Sequence, residues 1–433
     1  MFLSQVWMSA IEGFVPREIV RCFNAYLDFC YIARGNTFTQ LRLDRLDDAL
    51  KRFHEHRQIF QHVGVRDPTS AGFSLPRQHA MVHYRQHIEN FGAPNGFCSS
   101  ITESKHISAV KRPWRCSSRY NAIHQIMRTN HRSEKLSAAC ASFTAHGMLD
   151  FPTWQPRIPH LVPSDNDADQ SGAAEEDAIY NEVFLAQTHG MPGIYFDLRY
   201  SADLTIVPNY PHSLHGLGQR IGHPNLPDLV RKYLFGHTYP DIDPDTDTSC
   251  TRLPRIDVSY TDHIKVFHSA RAIFCAPSNP STTTGMYHET IRATPSWNRG
   301  EIPGPRYDCI LVSSGSSSEG SSMNNFLIAR VLMFFSFTIN GELHQCALVH
   351  WFSLSGDQPD LDNGMWVVTP DYFGGARNLS VIHIDSIFRA AHLLPIFDAT
   401  PLPRTLNYTA TLDSFQGFYL NTYIDYHAYE TLV

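Results

Sequence analysis

Residues 101–107 read Ile-Thr-Glu-Ser-Lys-His-Ile, a polar loop running directly into a helix that carries one carboxylate, Glu103. Eight cationic side chains follow it: Lys105, Lys111, Arg112, Arg115, Arg119, Arg128, Arg132 and Lys135. Only Glu103 and Glu134 oppose them between 103 and 135. One carboxylate beside a dense basic helix suits phosphodiester chemistry, in which the acid helps to hold Mg2+ and the cations neutralise phosphates. The same residues also fit a plainer arrangement. There a glutamate is drawn to a helix N-terminus by the macrodipole, and a solvated basic face follows.

Other ligand-bearing patterns are weaker. His79, His83 and His87 fall on one helical stripe, but no third ligand type stands near them in sequence, so they read as a polar face. His344, Cys346 and His350 would share one face of a strand; without a fourth ligand this reads as ordinary strand alternation. Asp241, Asp243, Asp245 and Asp247 alternate as in a calcium loop. Thr246 and Arg252 replace the glycine and glutamate such a loop needs, and Pro244 interrupts it, so an EF-hand is excluded. Gly216-Leu217-Gly218 with Gly222 is not a dinucleotide fingerprint. Walker A, G-x-S-x-G and H-E-x-x-H motifs are absent from the sequence, which removes the common nucleotide-binding and hydrolase readings.

The elements that would position these residues divide the chain. Pro16 opens a helix to about Arg34, with Ile19, Phe23, Tyr26, Leu27, Cys30 and Tyr31 on its apolar face. The spacing predicts further helices over 38–63, from Pro76 to about Phe91, and over 117–146. Residues 151–180 hold four prolines and the run Glu175-Glu176-Asp177 and read as a linker; 207–256 read as a surface segment or second linker. Beyond it the pattern turns to β. Strands are expected over 264–274, 307–313, 330–339, 342–352, 365–369 and 381–384, with a serine-rich loop over 313–322. Asn340-Gly341 between two apolar runs is a strong hairpin signal, because both turn positions need positive φ. The expected fold class is therefore α+β: helices over 1–150, a linker over 151–180, a mixed domain over 181–400 ending in a small β-barrel-like sheet, and a tail over 401–433.

Composition fits a folded chain with charge separated along its length. The 433 residues are 42% hydrophobic and 18% charged, with a formal net charge of −7. Residues 1–160 carry 20 Lys+Arg against 12 Asp+Glu, and 161–433 carry 15 against 30. The first part is thus suited to a polyanion and the second is not, while an uneven solvated surface gives the same division. Nine unpatterned cysteines and no C-x-x-C pair predict reduced thiols in an intracellular protein. The apolar start, Met1 to Ile11, lacks the basic flank and cleavage site of a signal peptide. The apolar run 326–339 is too short to span a bilayer, so no membrane partner is expected.

Several blocks resemble the Plavaka-type and related KDZ-type DNA transposases of mushroom-forming fungi. They are Gly13-Phe14-Val15-Pro16 with Tyr26 to Arg34, Leu75 to Tyr84 with Phe91 to Gly96, and Thr102 to Ile107 with Lys111-Arg112-Pro113-Trp114 and Ser117 to Tyr120. Ala329 to Phe337, Ala347 to Phe352, Gly364-Met365-Trp366, His383-Ile384-Asp385 and Ala390 to Leu393 are similar to that family's carboxy-terminal domain of unknown function. The resemblance implies that 1–150 are a helical remnant of an RNase H-like core, and that Glu103 is the last of three catalytic acids and a metal ligand. It places the first two acids upstream of Gly13. This chain begins twelve residues before that block and is expected to lack them, together with a zinc-finger-like amino-terminal region. One carboxylate does not hold two Mg2+ ions, so the chain alone is expected not to be an enzyme, with Mg2+ a cofactor only were the missing acids restored. What remains is DNA binding through 105–135, with protein partners for the acidic second half and a nuclear location implied by the resemblance alone. The alternatives are a non-catalytic interaction module and a decayed reading frame. The hairpin and Ser386 to Leu394 are also faintly similar to bromo-adjacent-homology barrels, at the level of fold only.

Overall fold

The apolar run Phe326–Ile339 forms a fourteen-residue strand, and most of the β-structure is arranged around it. The computed structural model describes residues 6–67, 72–96, 106–145, 195–197, 210–238, 262–276, 286–297, 304–314, 322–339, 341–397 and 406–433. Its main helices are α1 (Arg17–Ala33), α2 (Gln40–His56), α3 (Tyr84–Phe91), α4 (Ala122–Ala145), α5 (Leu214–Arg220), α6 (Leu226–Thr238) and α7 (Tyr426–Leu432). The strands are β1 (Tyr195–Asp197), β2 (Asp262–Phe267), β3 (Ser269–Cys275), β4 (Met286–Trp297), β5 (Gly304–Tyr307), β6 (Cys309–Ser313), β7 (Phe326–Ile339) and β8 (Glu342–Leu354). Seven shorter ones follow: β9 (Trp366–Pro370), β10 (Tyr372–Phe373), β11 (Ala376–Arg377), β12 (Leu379–His383), β13 (Ile387–Ala391), β14 (Leu393–Pro395) and β15 (Phe418–Leu420).

Nine strands form a nearly closed antiparallel barrel in the order β13-β6-β7-β8-β9-β15-β14, with β12 added to β8 and β2 to β7. A second sheet runs β1-β3-β4-β5. The near-continuous apolarity of β7 follows from its place between two layers. Ala329, Val331 and Phe334 join Ala270, Phe274 and Ile291 of the second sheet in one core. Met333, Phe335 and Phe337 face the other way, against Leu214, Leu217, Leu226 and Val230 of α5 and α6. A bulge between Val331 and Met333 inserts Leu332 as the extra residue, which lets the chain bend while alternation resumes beyond it. Gly341, at φ +82°, turns β7 into β8. Phe334 is fully buried at the centre of this arrangement. Phe334→Ala is expected to cost about 3–5 kcal/mol, read as a lower urea midpoint at unchanged slope.

The amino-terminal helices bury their stripes against the far end of the chain. Val20, Leu27, Tyr31 and Ile32 of α1 and Leu43, Leu46 and Phe53 of α2 share a core with Tyr419, Tyr423, Tyr426 and Tyr429. Polar atoms inside that core are paired. The Tyr423 hydroxyl lies 2.5 Å from Asn24 Oδ1 and 2.8 Å from Asp28 Oδ1, and Arg52 Nη2 donates to Asp28 Oδ2 at 3.0 Å. Tyr31 donates to the Tyr423 carbonyl. The tyrosine contacts join residues about 400 positions apart and fix the helical pair to the last thirty residues.

The division of the chain differs from the one read in the sequence. Met1–Phe97 and Pro192–Val433 form one unit and Cys98–Met191 a second. Residues expected to be a tail supply β15 to the barrel and α7 to the helical core. The stretch 207–256, read as linker, contains α5 and α6 with Leu214, Leu217, Leu226, Val230 and Leu234 buried; its Gly and Pro residues masked two short amphipathic helices. The helix expected over 38–63 is broken after His56 and resumes over Ile59–His62. The one from Pro76 is interrupted by a 3-10 turn, Met81–His83. The linker 151–180 lies outside the described residues. No helix among the described residues is long and apolar enough to cross a membrane.

Candidate functional site

The cationic stretch forms the described part of the second unit. A π-helical turn, Ile107–Lys111, runs into a short helix, Arg112–Arg115, and then into α4. Asn130 Nδ2 donates to the Ala109 carbonyl at 2.7 Å and so ties α4 to the turn before it. At 100° per residue, His124, Arg128, His131 and Lys135 fall within one narrow stripe of α4, with Arg132 beside it. All five are exposed. Lys111, Arg115 and Arg119 are exposed as well, whereas Arg112 is half-buried. The Arg119 guanidinium covers the Trp114 ring at 4.9 Å, and Tyr120 beside it is 84% exposed. Cations interleaved with aromatic rings are what a nucleic-acid strand needs, charge for its phosphates and flat apolar faces for its bases. Glu103 and Lys105 lie outside the described residues.

The histidine stripes separate on folding. His79, His83 and His87 do line up, with ring centroids 5.0 and 6.2 Å apart, yet no carboxylate or thiol completes a ligand group with them among the described residues. The trio on β8 is divided among different neighbours. His350 meets the His223 ring at 5.8 Å, and burial pushes it down to about 4. Cys346 is hydrogen-bonded to Tyr233, and burial raises its thiol to about 12. His344 instead meets His237 of α6 and Glu342, with one ligand atom from each of the three within 4.8 Å of the others. Sequence reading missed His237 because more than a hundred residues separate it from its neighbours. The only local signal was its place in the last turn of an amphipathic helix.

Two other charged groups are internally balanced. Glu12, Asp360 and Asp362 converge, but Arg21 Nε donates to Asp362 at 2.7 Å, Asn363 Nδ2 to Glu12 at 2.9 Å, and the Asp362 and Asn363 amides to Asp360. A cleft of about 530 Å³ between α2 and α7 contains Arg42 and Arg52, which pair with Glu430 and with Asp28 and Asp48. Both arrangements hold elements together.

The most deeply buried charge is Arg389 on β13, 2% exposed. Its two terminal nitrogens donate to both oxygens of Asp425, at 2.9 and 2.5 Å, and Nη1 also donates to Nδ1 of His427 at 2.9 Å. Glu289 stands further off, 3.6 Å from the guanidinium, and accepts the Ala390 amide. Burial, with Asp425 repelling it, pushes the Glu289 carboxyl up to about 7. Asp425 receives the direct bidentate pair and is held below the ordinary carboxylate range. Burial and the Arg389 charge push His427 down to about 4. Asp425 also accepts the Ala428 amide as the N-cap of α7, so this cluster locks the last helix to the barrel.

The described cysteines Cys22, Cys30, Cys116, Cys309 and Cys346 are free thiols. No family model, no curated protein and no solved structure matches this chain.

Proposed function

We propose that this chain is a transposable-element-derived protein of the Plavaka type that binds DNA through residues 105–135. The observation that carries the reading is the stripe His124, Arg128, His131 and Lys135 along an exposed helix, flanked by Arg132, by Arg119 stacked on Trp114, and by the open ring of Tyr120. Lys111, Arg112 and Arg115 extend the positive surface, and Lys105 continues it in sequence. Glu134 is the one carboxylate in the sequence of 106–145, which leaves the segment with a strong excess of positive charge. On this reading the amino-terminal helices descend from an RNase H-like core. Glu103 is its last acid and would ligate Mg2+ only beside two further carboxylates. Descent from a nuclear transposase also gives a nuclear location.

Salt dependence tests the proposal. With about five phosphates neutralised, the logarithm of affinity for duplex DNA falls against log salt with a slope of about −4.5. Replacing Arg128, Arg132 and Lys135 together by alanine is expected to flatten that slope by about 2.7. Affinity without salt dependence, or an unchanged slope in the triple variant, would remove the reading.

A second reading rests on the hairpin β10–β11, whose Gly374-Gly375 turn takes φ of +60° and +83°. It holds Tyr372 58% and Phe373 82% exposed. Such a projecting aromatic pair suits a protein partner for the acidic half of the chain.

A further inference from the structure

We infer that His237, Glu342 and His344 form a binding site for one divalent transition-metal ion of the zinc class. The three come from two elements that meet only in the folded protein. His237 occupies the last turn of α6, and Glu342 and His344 stand two residues apart on one face of β8, just after the Gly341 turn. Their ligand atoms all lie within 4.8 Å of one another, and His237 Nε2 is 3.7 Å from Glu342 Oε1. That spacing needs only side-chain rotation to close on an ion with bonds of about 2.0–2.2 Å.

The donor set selects the ion. Two imidazoles and one carboxylate are the ligands of an open zinc site, which leaves a fourth position to water, whereas Mg2+ and Ca2+ favour oxygen alone. Cys346, two residues further along the same face, is hydrogen-bonded to Tyr233 and is not one of the three converging residues. The surroundings orient the ligands. The Tyr233 hydroxyl lies 3.4 Å from Nδ1 of His344 and is also bonded to Cys346, a contact that helps to orient the ring. The His237 and His344 rings meet edge to face at 5.4 Å, and the His344 ring stacks on Phe337 at 5.2 Å. His344 is 4% exposed, so its position is set by packing, while His237 and Glu342 sit at the surface where an ion can enter. A cation here also lies at the negative end of the α6 dipole. Bound metal would bridge α6 to the β7–β8 hairpin and stabilise that contact by linkage.

The test uses the full chain, freed of metal by chelator and titrated with Zn2+ in a calorimeter, then with Co2+ followed by visible absorption. Because His344 is buried, the diagnostic variants are the exposed His237→Gln and Glu342→Gln, with cooperative melting checked in each. Wild type is expected to take up one Zn2+ with a rise in melting temperature and a Co2+ spectrum of low coordination number. Each variant is expected to bind at least tenfold more weakly, with no Zn2+-dependent rise. Equal Zn2+ affinity in wild type and both variants, or no binding by a well-folded wild type, would overturn the assignment. So would Mg2+ matching Zn2+ at the same site.

Discussion

Arg389→Met is expected to cost about 3–5 kcal/mol of stability at neutral pH, the largest effect of any single charge removal in this protein. The substitution preserves much of the apolar stem that lies against the barrel but removes the guanidinium that pairs with Asp425 and faces Glu289. Two carboxylates then share a buried site with no counter-charge, and both bind protons more readily in the folded state. A folded-state pKa raised above its unfolded value gives stability that is present at low pH and lost as pH rises. The defect should therefore be milder at pH 5 than at pH 8. Adding Glu289→Gln to the variant removes one of the two orphaned charges and is expected to recover part of the loss at pH 8. Urea unfolding of the four proteins of that double-mutant cycle measures the coupling. Equal cost at pH 5 and pH 8 would show that packing against Phe274, whose ring lies 5.1 Å from the guanidinium, dominates instead.

The unmodified protein should be most stable near pH 6.5 and lose several kcal/mol between there and pH 4. Histidines pushed down by burial set the acid side, His427 and His350 furthest, with His54, His223, His268, His344 and His392 shifted in the same direction. His427 and His350 are both pushed down to about 4 from an ordinary 6.5, mainly by burial. Their contribution is complete above 6.5 and is lost as pH falls toward 4, because the unfolded chain takes up the protons first. Glu289 works in the opposite sense. Its carboxyl is raised from 4.5 to about 7, so its contribution is present below 4.5 and lost as pH rises through 7. Between 4.5 and 6.5 the depressed histidines outweigh the raised Glu289 and the net slope favours higher pH. From 6.5 to 7 the raised Glu289 takes over and stability declines slightly. His427→Gln should flatten the acid limb, and Glu289→Gln should remove the decline above 6.5. Chemical denaturation at half-unit pH steps distinguishes these outcomes, and a profile flat from 4 to 7 would refute the arrangement.

Local pattern went far along this chain, and particular residues show where it stopped. Ile19, Phe23, Leu27 and Tyr31 announce α1 because a period near 3.6 is a property of neighbours. Asn340-Gly341 announces the β7–β8 turn because positive φ is a local demand, and Gly341 does adopt it. The short strands β13, β14 and β15 have too few residues to show alternation, and β4 carries Pro295 and several polar side chains. The cationic stripe of α4 is local and was legible, but the His237–Glu342–His344 group was not, because no spacing rule connects residue 237 to residue 344.

Sequence alone thus determined the α+β order of elements, the amino-terminal helices, the central hairpin and the positive segment that could meet a polyanion. Each depends on propensity, periodicity or charge within a few turns of chain. Tertiary structure decided that the last thirty residues belong to the first helices, that β7 is covered on both faces, and that Arg389, Asp425, Glu289 and His427 share one site. Those pairings are settled by which apolar faces find each other on collapse, a free energy summed over the whole core that no window of sequence contains.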